Sequence, residues 1–349
     1  MDIYLLQRVY RGLRNATVRR AALRAARLAG VRTLLVRMDL NNYCNIRCIM
    51  CPLGYEATKR EDRRVMTLEQ FERIAADLFP RTRSLVLSCG YEPLIVPHFD
   101  QCLAGARRFG VPFISFATNA TRLDERLSRL LIEQRISEIV VSADSPEPAT
   151  FESIRVGAKF AVVMANVTRL AELKRQQHAS VPALRVNFTV MDRNAAQIPA
   201  FIEMFADLGM AVLELRPVER RDPVVVARTE PLLTERGAAE YRRVFPQVKE
   251  LCGRRNIRLL ALPELPSQDE RPAEPRAAGP NHCVLPWLCC YIAANGDFAP
   301  CPAGPITGNL LDSTYREIMK SEKTLEFLHS VRAGNAHCDR CFLKSEMIG

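Results

Sequence analysis

The sequence predicts an α/β protein: a partial (β/α)6 TIM-like barrel followed by a small cysteine-rich C-terminal domain. Three observations carry this. Short apolar, β-branched runs alternate with segments of helical period from Thr33 to Pro217, the pattern of parallel β/α units. A loop with three cysteines, Cys44, Cys48 and Cys51, follows directly on the first run, at the carboxyl end of a strand, where such barrels keep their chemistry. Four more cysteines, at 283, 301, 338 and 341, lie beyond a stretch dense in proline and charge with no periodicity.

Taken in order, residues 3–29 read as one basic amphipathic helix. Leu5, Leu6, Val9, Tyr10 and Leu13 recur at helical spacing, and Arg8, Arg11, Arg14, Arg19, Arg20, Arg24 and Arg27 supply the basic face. Such a helix packs across the base of the barrel with its arginines in solvent, or docks on an anionic lipid surface or an acidic carrier. Strands are expected at 33–40, 84–88, 112–117, 138–143, 183–191 and 211–217. Helices are expected between them at 68–78, 99–109, 123–134, 160–176 and 198–208. A helix over 234–253 and a short strand near 257–261 close the core. The domain boundaries that follow are 1–31 for the basic helix, 32–262 for the barrel, 263–282 for a linker and 283–349 for the C-terminal domain. In that last domain a strand near 291–293, the Asn295-Gly296-Asp297 turn and Cys301 form a hairpin signal that brings Cys283 and Cys301 toward one end. One helix, 314–331, precedes the final Cys338-Asp339-Arg340-Cys341.

Composition narrows the class. Of 349 residues, 48% are hydrophobic and 25% charged, which excludes a disordered or fibrous chain and suits a globular enzyme. No run approaches the ~18 apolar residues of a membrane span. Twelve cysteines with no secretory signal point to metal ligands or reduced thiols, hence a cytoplasmic setting. The formal charge of +10 is nearly all arginine, with lysine at only seven positions. It argues for some preference for anionic partners, with no nucleic-acid partner expected.

Three thiolates on one short loop hold three corners of a cubane cluster and leave the fourth iron open, which catalysis at a metal requires. The run Cys44-Asn45-Ile46-Arg47-Cys48-Ile49-Met50-Cys51 resembles the signature of the radical S-adenosylmethionine (SAM) superfamily, Cys-x3-Cys-x2-Cys; Met50 stands where many members have an aromatic residue. The resemblance implies a 4Fe–4S cluster on these cysteines whose open iron is chelated by SAM, and reductive cleavage of SAM to a 5′-deoxyadenosyl radical. Further segments at strand ends resemble the same family. Cys89-Gly90-Tyr91-Glu92-Pro93 is similar to its Gly-Gly-Glu-Pro, with Tyr91 in place of the second glycine. Thr118-Asn119-Ala120 is close to its Thr-Asn-Gly turn, and Ser142-Ala143-Asp144 to its Ser-x-Asp. By resemblance, Gly90 and Glu92 lie near the SAM amino group, Ser142 and Asp144 near the ribose and Arg155 near the SAM carboxylate, and Asn119 belongs to the same cofactor site. Read singly, each is an ordinary turn or cap.

The C-terminal cysteines make a closed set of four, and a structural zinc fits the spacing alone. With its Gly-x4-Cys hairpin and final Cys-x2-Cys, this region resembles the SPASM/twitch extension of radical SAM enzymes. That implies one auxiliary 4Fe–4S cluster on Cys283, Cys301, Cys338 and Cys341.

Inside the barrel, Arg185, Asn187 and Thr189 alternate on one strand face and Glu214 and Arg216 on the next. They bind substrate there, or sit in ion pairs near the strand ends. Arg216 is the candidate for orienting a substrate hydroxyl. Cys290, with Cys289 and Cys89, is a candidate thiol for donating a hydrogen atom to a substrate radical. Cys289 or Cys290 could also replace a cluster ligand, and core packing is the alternative for each. Cys102, at helical spacing with Phe99, Ala106 and Phe109, reads as core, and Cys252 is left over. The resulting expectation is a radical SAM oxidoreductase or epimerase acting on a small sugar-, aminocyclitol- or nucleotide-like natural product. It would be reduced by an external flavodoxin- or ferredoxin-type donor. Radical SAM enzymes of this architecture resemble aminocyclitol dehydrogenases or peptide maturases. Maturases that capture a leader peptide often carry a winged-helix domain before the barrel, where only about thirty helical, arginine-rich residues precede Thr33. A maturase of a ribosomally made peptide and a non-enzymatic iron–sulfur or zinc protein are the alternatives.

Overall fold

In the computed structural model, residues 16–51, 62–88, 90–218, 232–261 and 283–334 are described. Apolar residues two apart build its strands. They are β1 (Leu34–Met38), β3 (Thr82–Leu87), β4 (Phe113–Thr118), β5 (Glu138–Ser142), β7 (Ala183–Val190), β8 (Met210–Pro217) and β9 (Arg258–Ala261). The crossover helices are α2 (Leu68–Leu78), α3 (Phe99–Arg108), α4 (Glu125–Glu133), α6 (Phe160–Gln176), α7 (Ile198–Ala206) and α8 (Glu235–Arg254), with α1 (Ala16–Leu28) before β1. From β1 to β9 every neighbouring pair is parallel, in the order β1-β3-β4-β5-β7-β8-β9. The six expected β/α units are all present, and α1 occupies the described part of the basic helix. Its Leu23 is buried, while Val18, Arg24 and Leu28 are exposed.

Helix ends follow local chemistry. Thr67 and Gln70 form a reciprocal capping box at the start of α2, and Asp124 accepts from the Leu127 amide at the start of α4. Alternation along β7 shows how the sheet divides its two faces. Leu184, Val186, Phe188 and Val190 are buried against helices, and Arg185, Asn187 and Thr189 point to the concave side. Phe188 stacks edge-on with Phe201 of α7 at 4.8 Å, and Phe201 packs on Phe205 at 4.5 Å. With Phe201 fully buried, Phe201→Ala is expected to destabilise the protein by about 3–5 kcal/mol, read as a lowered denaturant midpoint.

The C-terminal segment does not stand off from the barrel. A short helix α9 (Leu285–Leu288) leads into β10 (Cys289–Ile292), which pairs parallel with β1, Leu35 opposite Cys289 through Met38 opposite Ile292. The antiparallel β11 (Asp297–Ala299) and β12 (Gly308–Asn309) follow, so one ten-stranded sheet runs from β12 to β9. Its two edges, β12 and β9, do not pair among the described residues, which makes it a partial barrel. The hairpin turn needs its glycine. Gly296 has φ +85°, and a Cβ there would come within 2.6 Å of Leu311.

The single helix expected over 314–331 is two, α10 (Tyr315–Ile318) and α11 (Glu322–Ala333). Two N-caps compete in that stretch. Thr314 boxes with Glu317, and Ser321 accepts from the Thr324 amide, so the chain restarts at Ser321. The sequence reading also lacked a small second sheet, β2 (Arg47–Cys48) with β6 (Arg155–Val156), and the helix α5 (Pro148–Ile154) that delivers β6.

Candidate active site

Leaving β1, the chain is anchored before it reaches the cysteines. Asn41, fully buried, donates from Nδ2 to the carbonyls of Tyr43 (3.1 Å) and Glu92 (3.0 Å), and the Met66 amide donates to Leu40 O at 2.8 Å. The middle cysteine is then pinned through its backbone. Cys48 sits opposite Arg155 in the β2–β6 pair, and the Ile49 amide donates to Ile154 O at 2.9 Å. All three cysteines are half-buried and in no disulfide. Two of them meet N–H groups from strand ends. Asn119 Nδ2 lies 3.7 Å from Cys44 Sγ, and Arg155 Nη1 lies 3.6 Å from Cys48 Sγ.

Burial pushes the Cys44 and Cys48 thiols up, and neighbouring negative groups add to it: Glu92 and Cys51 for Cys44, Asp144 and Cys44 for Cys48. Three thiolates so close together need a cationic centre to hold them ionised, and an iron cluster supplies one. Among the described residues no three His, Cys, Asp or Glu side chains converge tightly enough to share a single metal ion. A cubane takes one thiolate at each corner iron, so its ligands need not meet at a point.

The segments expected around SAM come together at this end of the barrel. Glu92 is 2% exposed, and its carboxylate clasps the exit of β3 to the end of β4. Oε1 accepts from Thr118 Oγ1 (2.7 Å) and the Leu94 amide (3.1 Å), and Oε2 from the Asn119 amide (2.7 Å). Burial raises its pKa to about 7 against these donors. Both oxygens are thus engaged, and a ligand ammonium has to share them. Gly90 is exposed, donates to Asp39 Oδ1 at 3.4 Å, and has open space where a Cβ would be. Ser142 is half-buried at the end of β5. Asp144 is fully buried; Oδ1 accepts from the Thr189 amide at 2.7 Å, and its carbonyl accepts from Asn194 Nδ2 at 2.9 Å.

Arg155 Nη2 lies 2.8 Å from Asp144 Oδ2 as an ion pair that is not aligned as a hydrogen bond. Burial works against the Arg155 charge, yet Asp144 and then Cys48 outweigh it and hold its pKa above the usual arginine value. Arg155 Nε and Asp144 Oδ2 are both buried with no hydrogen-bond partner. Since Asp144 Oδ2 is held by the ion pair, the free donor is Arg155 Nε, and a buried guanidinium N–H beside Cys48 fits a ligand carboxylate such as the one SAM carries.

Further in, the concave face carries charge. Glu214 is ion-paired with both Arg185 and Arg216, and Arg185 Nη1 is 3.8 Å from Glu138 Oε1. Despite burial, Arg185 and then Arg216 hold the Glu214 carboxyl below its ordinary value. Arg216 is 40% exposed at the end of β8, nearest the mouth, and Asn187 Oδ1 is buried without a hydrogen-bond partner. Of the two sequence readings of Arg216, the structure shows the ion pair, with the side chain on the same strand face as Glu214.

Cys290 does not belong to this interior. In the register it lies beside Val36, and it is buried in the main core with Val36 and Ile292 on the helix-facing side of the sheet. Its surroundings are those of the core-packing alternative, with strand alternation setting it on the same face as Val36 and Ile292. Its neighbour Cys289 shares a separate buried cluster with Cys283, Cys301, Leu285 and Phe327. The hairpin thus brings Cys283 and Cys301 together as expected; Cys338, Cys341 and Cys89 lie outside the described residues. Cys102 and Cys252 are core residues.

Sequence reasoning missed Tyr291, whose hydroxyl donates to buried Asp39 Oδ2 at 2.8 Å across the β1–β10 pair. Tyr291 lines a cavity of about 300 Å³ with Tyr91, Asn42, Asp62, Arg64 and Asp297, between the barrel end and the C-terminal hairpin. Nothing local in the sequence marks that pairing, since it depends on β10 joining β1.

Comparison with known proteins agrees with this geometry. The radical SAM superfamily model matches residues 38–191, and SPASM, an iron–sulfur cluster-binding domain, matches 283–342; together they take in more than half of the chain. GTP 3′,8-cyclase of Vibrio vulnificus (strain YJ016) is 26% identical over 170 residues, 48% of this chain and 49% of that protein. A probable GTP 3′,8-cyclase of Methanococcus maripaludis (strain C5) is 24% identical over 186 residues, 52% and 59% of the two chains. The chain spans about half the length of such relatives. Among solved structures, SuiB of Streptococcus suis bound to S-adenosylmethionine matches with a TM-score of 0.66 at 16% identity, over 92% of this chain and 74% of that one. The structure of anSMEcpe with bound AdoMet matches with a TM-score of 0.62 at 16% identity, over 90% and 85%. These structures share the fold. Among the described residues no helix is long and apolar enough to cross a membrane. The chain belongs to the radical SAM superfamily and carries a SPASM iron–sulfur domain after its partial barrel, an enzyme architecture with a SAM-binding 4Fe–4S cluster and an auxiliary cluster.

Proposed function

We propose that Cys44, Cys48 and Cys51 hold the SAM-binding cluster, and that a compact polar substrate, a sugar-, aminocyclitol- or nucleotide-like molecule, is oxidised in the mouth of the barrel. When bound, the cluster and SAM supply a 5′-deoxyadenosyl radical able to take a hydrogen atom from carbon. The observation that carries the reading is the concave face itself. Glu138, Arg185, Glu214 and the part-exposed Arg216 form a chain of alternating charge, with an unpartnered Asn187 Oδ1 on the same strand face as Arg185. An apolar substrate would leave the Asn187 oxygen unpaired and cover the ion pairs with nothing to hydrogen-bond, whereas hydroxyls or phosphates give that oxygen a partner. Arg216 orients a substrate hydroxyl, since a guanidinium is a fork of N–H donors with no acceptor. Relatives named for action on GTP support the nucleotide end of this range.

Cys290 packs in the core beside Val36, which supports oxidation over an epimerisation that would draw its hydrogen atom from that thiol. Cys283, Cys301, Cys338 and Cys341 would hold an auxiliary cluster able to accept the electron released in that oxidation, the hydroxyl proton leaving to solvent, and a flavodoxin- or ferredoxin-type protein would supply the reducing electron for SAM cleavage. A second reading, a peptide substrate, draws on the cavity open between hairpin and barrel and on the fold shared with SuiB bound to its precursor peptide (TM-score 0.64, 17% identity).

Candidate substrates deuterated at single carbons separate the two. Mass spectrometry of the released 5′-deoxyadenosine is expected to show label from a carbinol carbon. Label from a peptide Cα or Cβ would move the assignment to the maturase, and a ketone rather than an epimer as product would confirm oxidation.

A further inference from the structure

Arg155 is held from two sides, and one of them is the cluster loop. Its backbone is paired with Cys48 in the β2–β6 bridge, which sets the two side chains directly across from each other. Its guanidinium then divides its contacts: Nη2 lies 2.8 Å from Asp144 Oδ2 and Nη1 lies 3.6 Å from Cys48 Sγ. Asp144 cannot swing away, because Oδ1 accepts from the Thr189 amide and its carbonyl is held by Asn194. The side chains of Arg155 and Asp144 are 7% and 0% exposed, so water screens neither charge.

We propose that Arg155 sets the reduction potential of the cluster on Cys44, Cys48 and Cys51 through its N–H contact with Cys48 Sγ, and that Asp144 is the counter-charge that limits this effect. The inference rests on the cofactor reading above. One-electron reduction adds negative charge to the cluster and its thiolates, and a nearby cation with an N–H directed at sulfur stabilises the reduced state more than the oxidised one. Arg155 therefore raises the potential, making the cluster easier to reduce by an external donor, and Asp144 pulls it back down. Arg155 acts here as a positioning and tuning residue, through Cys48.

Opposite signs make the test. The full-length protein, anaerobically reconstituted, is titrated reductively and followed by electron paramagnetic resonance. The signal that changes on adding SAM identifies the cluster with the open iron. Arg155→Gln, which keeps an N–H but removes the charge, is expected to shift the midpoint to more negative potential. Asp144→Asn, which keeps an oxygen for the Thr189 amide, is expected to shift it to less negative potential. Arg155→Lys, with the charge but not the planar fork, falls between wild type and Arg155→Gln.

Equal midpoints in wild type and a cluster-replete Arg155→Gln would overturn the inference. So would shifts of the same sign in the glutamine and asparagine variants. Folded Arg155 variants that hold no cluster would overturn it too, since the residue would then build the site rather than tune it. A wild-type protein with no SAM-responsive iron–sulfur signal is a different failure, and would end the cofactor reading itself.

Discussion

Cys48→Ala is expected to abolish release of 5′-deoxyadenosine from SAM by the reduced protein, while the chain still folds. The Cys48 backbone is fixed at long range, through its pairing with Arg155 and the neighbouring Ile49–Ile154 hydrogen bond. That anchoring survives truncation of the side chain, so the loop keeps its course and loses one thiolate of three. A cubane on two cysteines lacks a corner ligand, and the open iron loses its fixed position. The measurement is chromatographic detection of 5′-deoxyadenosine after reduction in the presence of SAM. Cys102→Ala serves as the control. Cys102 is fully buried on α3, and burial pushes its thiol up to about 12, which marks an unreactive core cysteine. That variant is expected to keep SAM cleavage at a modest cost in stability. If cluster-replete, reduced wild type never cleaved SAM, the assignment of this site as catalytic would fail, and a redox or structural role for the clusters would take its place.

The second large effect is on metal content. Anaerobically reconstituted protein is expected to hold about eight irons, and replacing Cys283, Cys301, Cys338 and Cys341 together should leave about half. Cys283 and Cys301 are both buried in one apolar cluster with Phe327, Leu328 and Val331, an environment that protects a cluster from water and favours its lower-charge state. Iron and sulfide analysis checks the count, and SAM cleavage should persist in the quadruple variant because the cluster loop is untouched. Zinc in place of iron in the C-terminal domain would refute its role as an electron acceptor.

How much of this was legible beforehand follows from how local each feature is. The alternation of apolar strands and helical periods is a short-range pattern, so the six β/α units and the helix-facing residues of β7 could be read directly. The three cluster cysteines lie within one eight-residue loop, and the Asn295-Gly296 turn signals its own hairpin. What could not be read is whatever depends on which strand lies beside which. Cys290 and Tyr291 are consecutive. Only the pairing of β10 with β1 sends the thiol into the core beside Val36 and the phenol to Asp39 in the interior. The break at Ser321 lies between these extremes: its cap chemistry is in the sequence, but it competes with a helical period that runs straight through it.

Taken alone, then, the sequence determined the α/β alternation, the loop that offers three thiols at a strand's carboxyl end, and the second set of cysteines after the barrel. Tertiary structure alone decided that β10 would extend the barrel sheet and which face each of its residues would take. It also decided that Arg155, 107 residues from Cys48, would lie against that cysteine with buried Asp144 at its other side. The physical reason is that side-chain periodicity specifies how an element divides its own faces, whereas the partner across a sheet is chosen by register and by the competition of all apolar surfaces for one core.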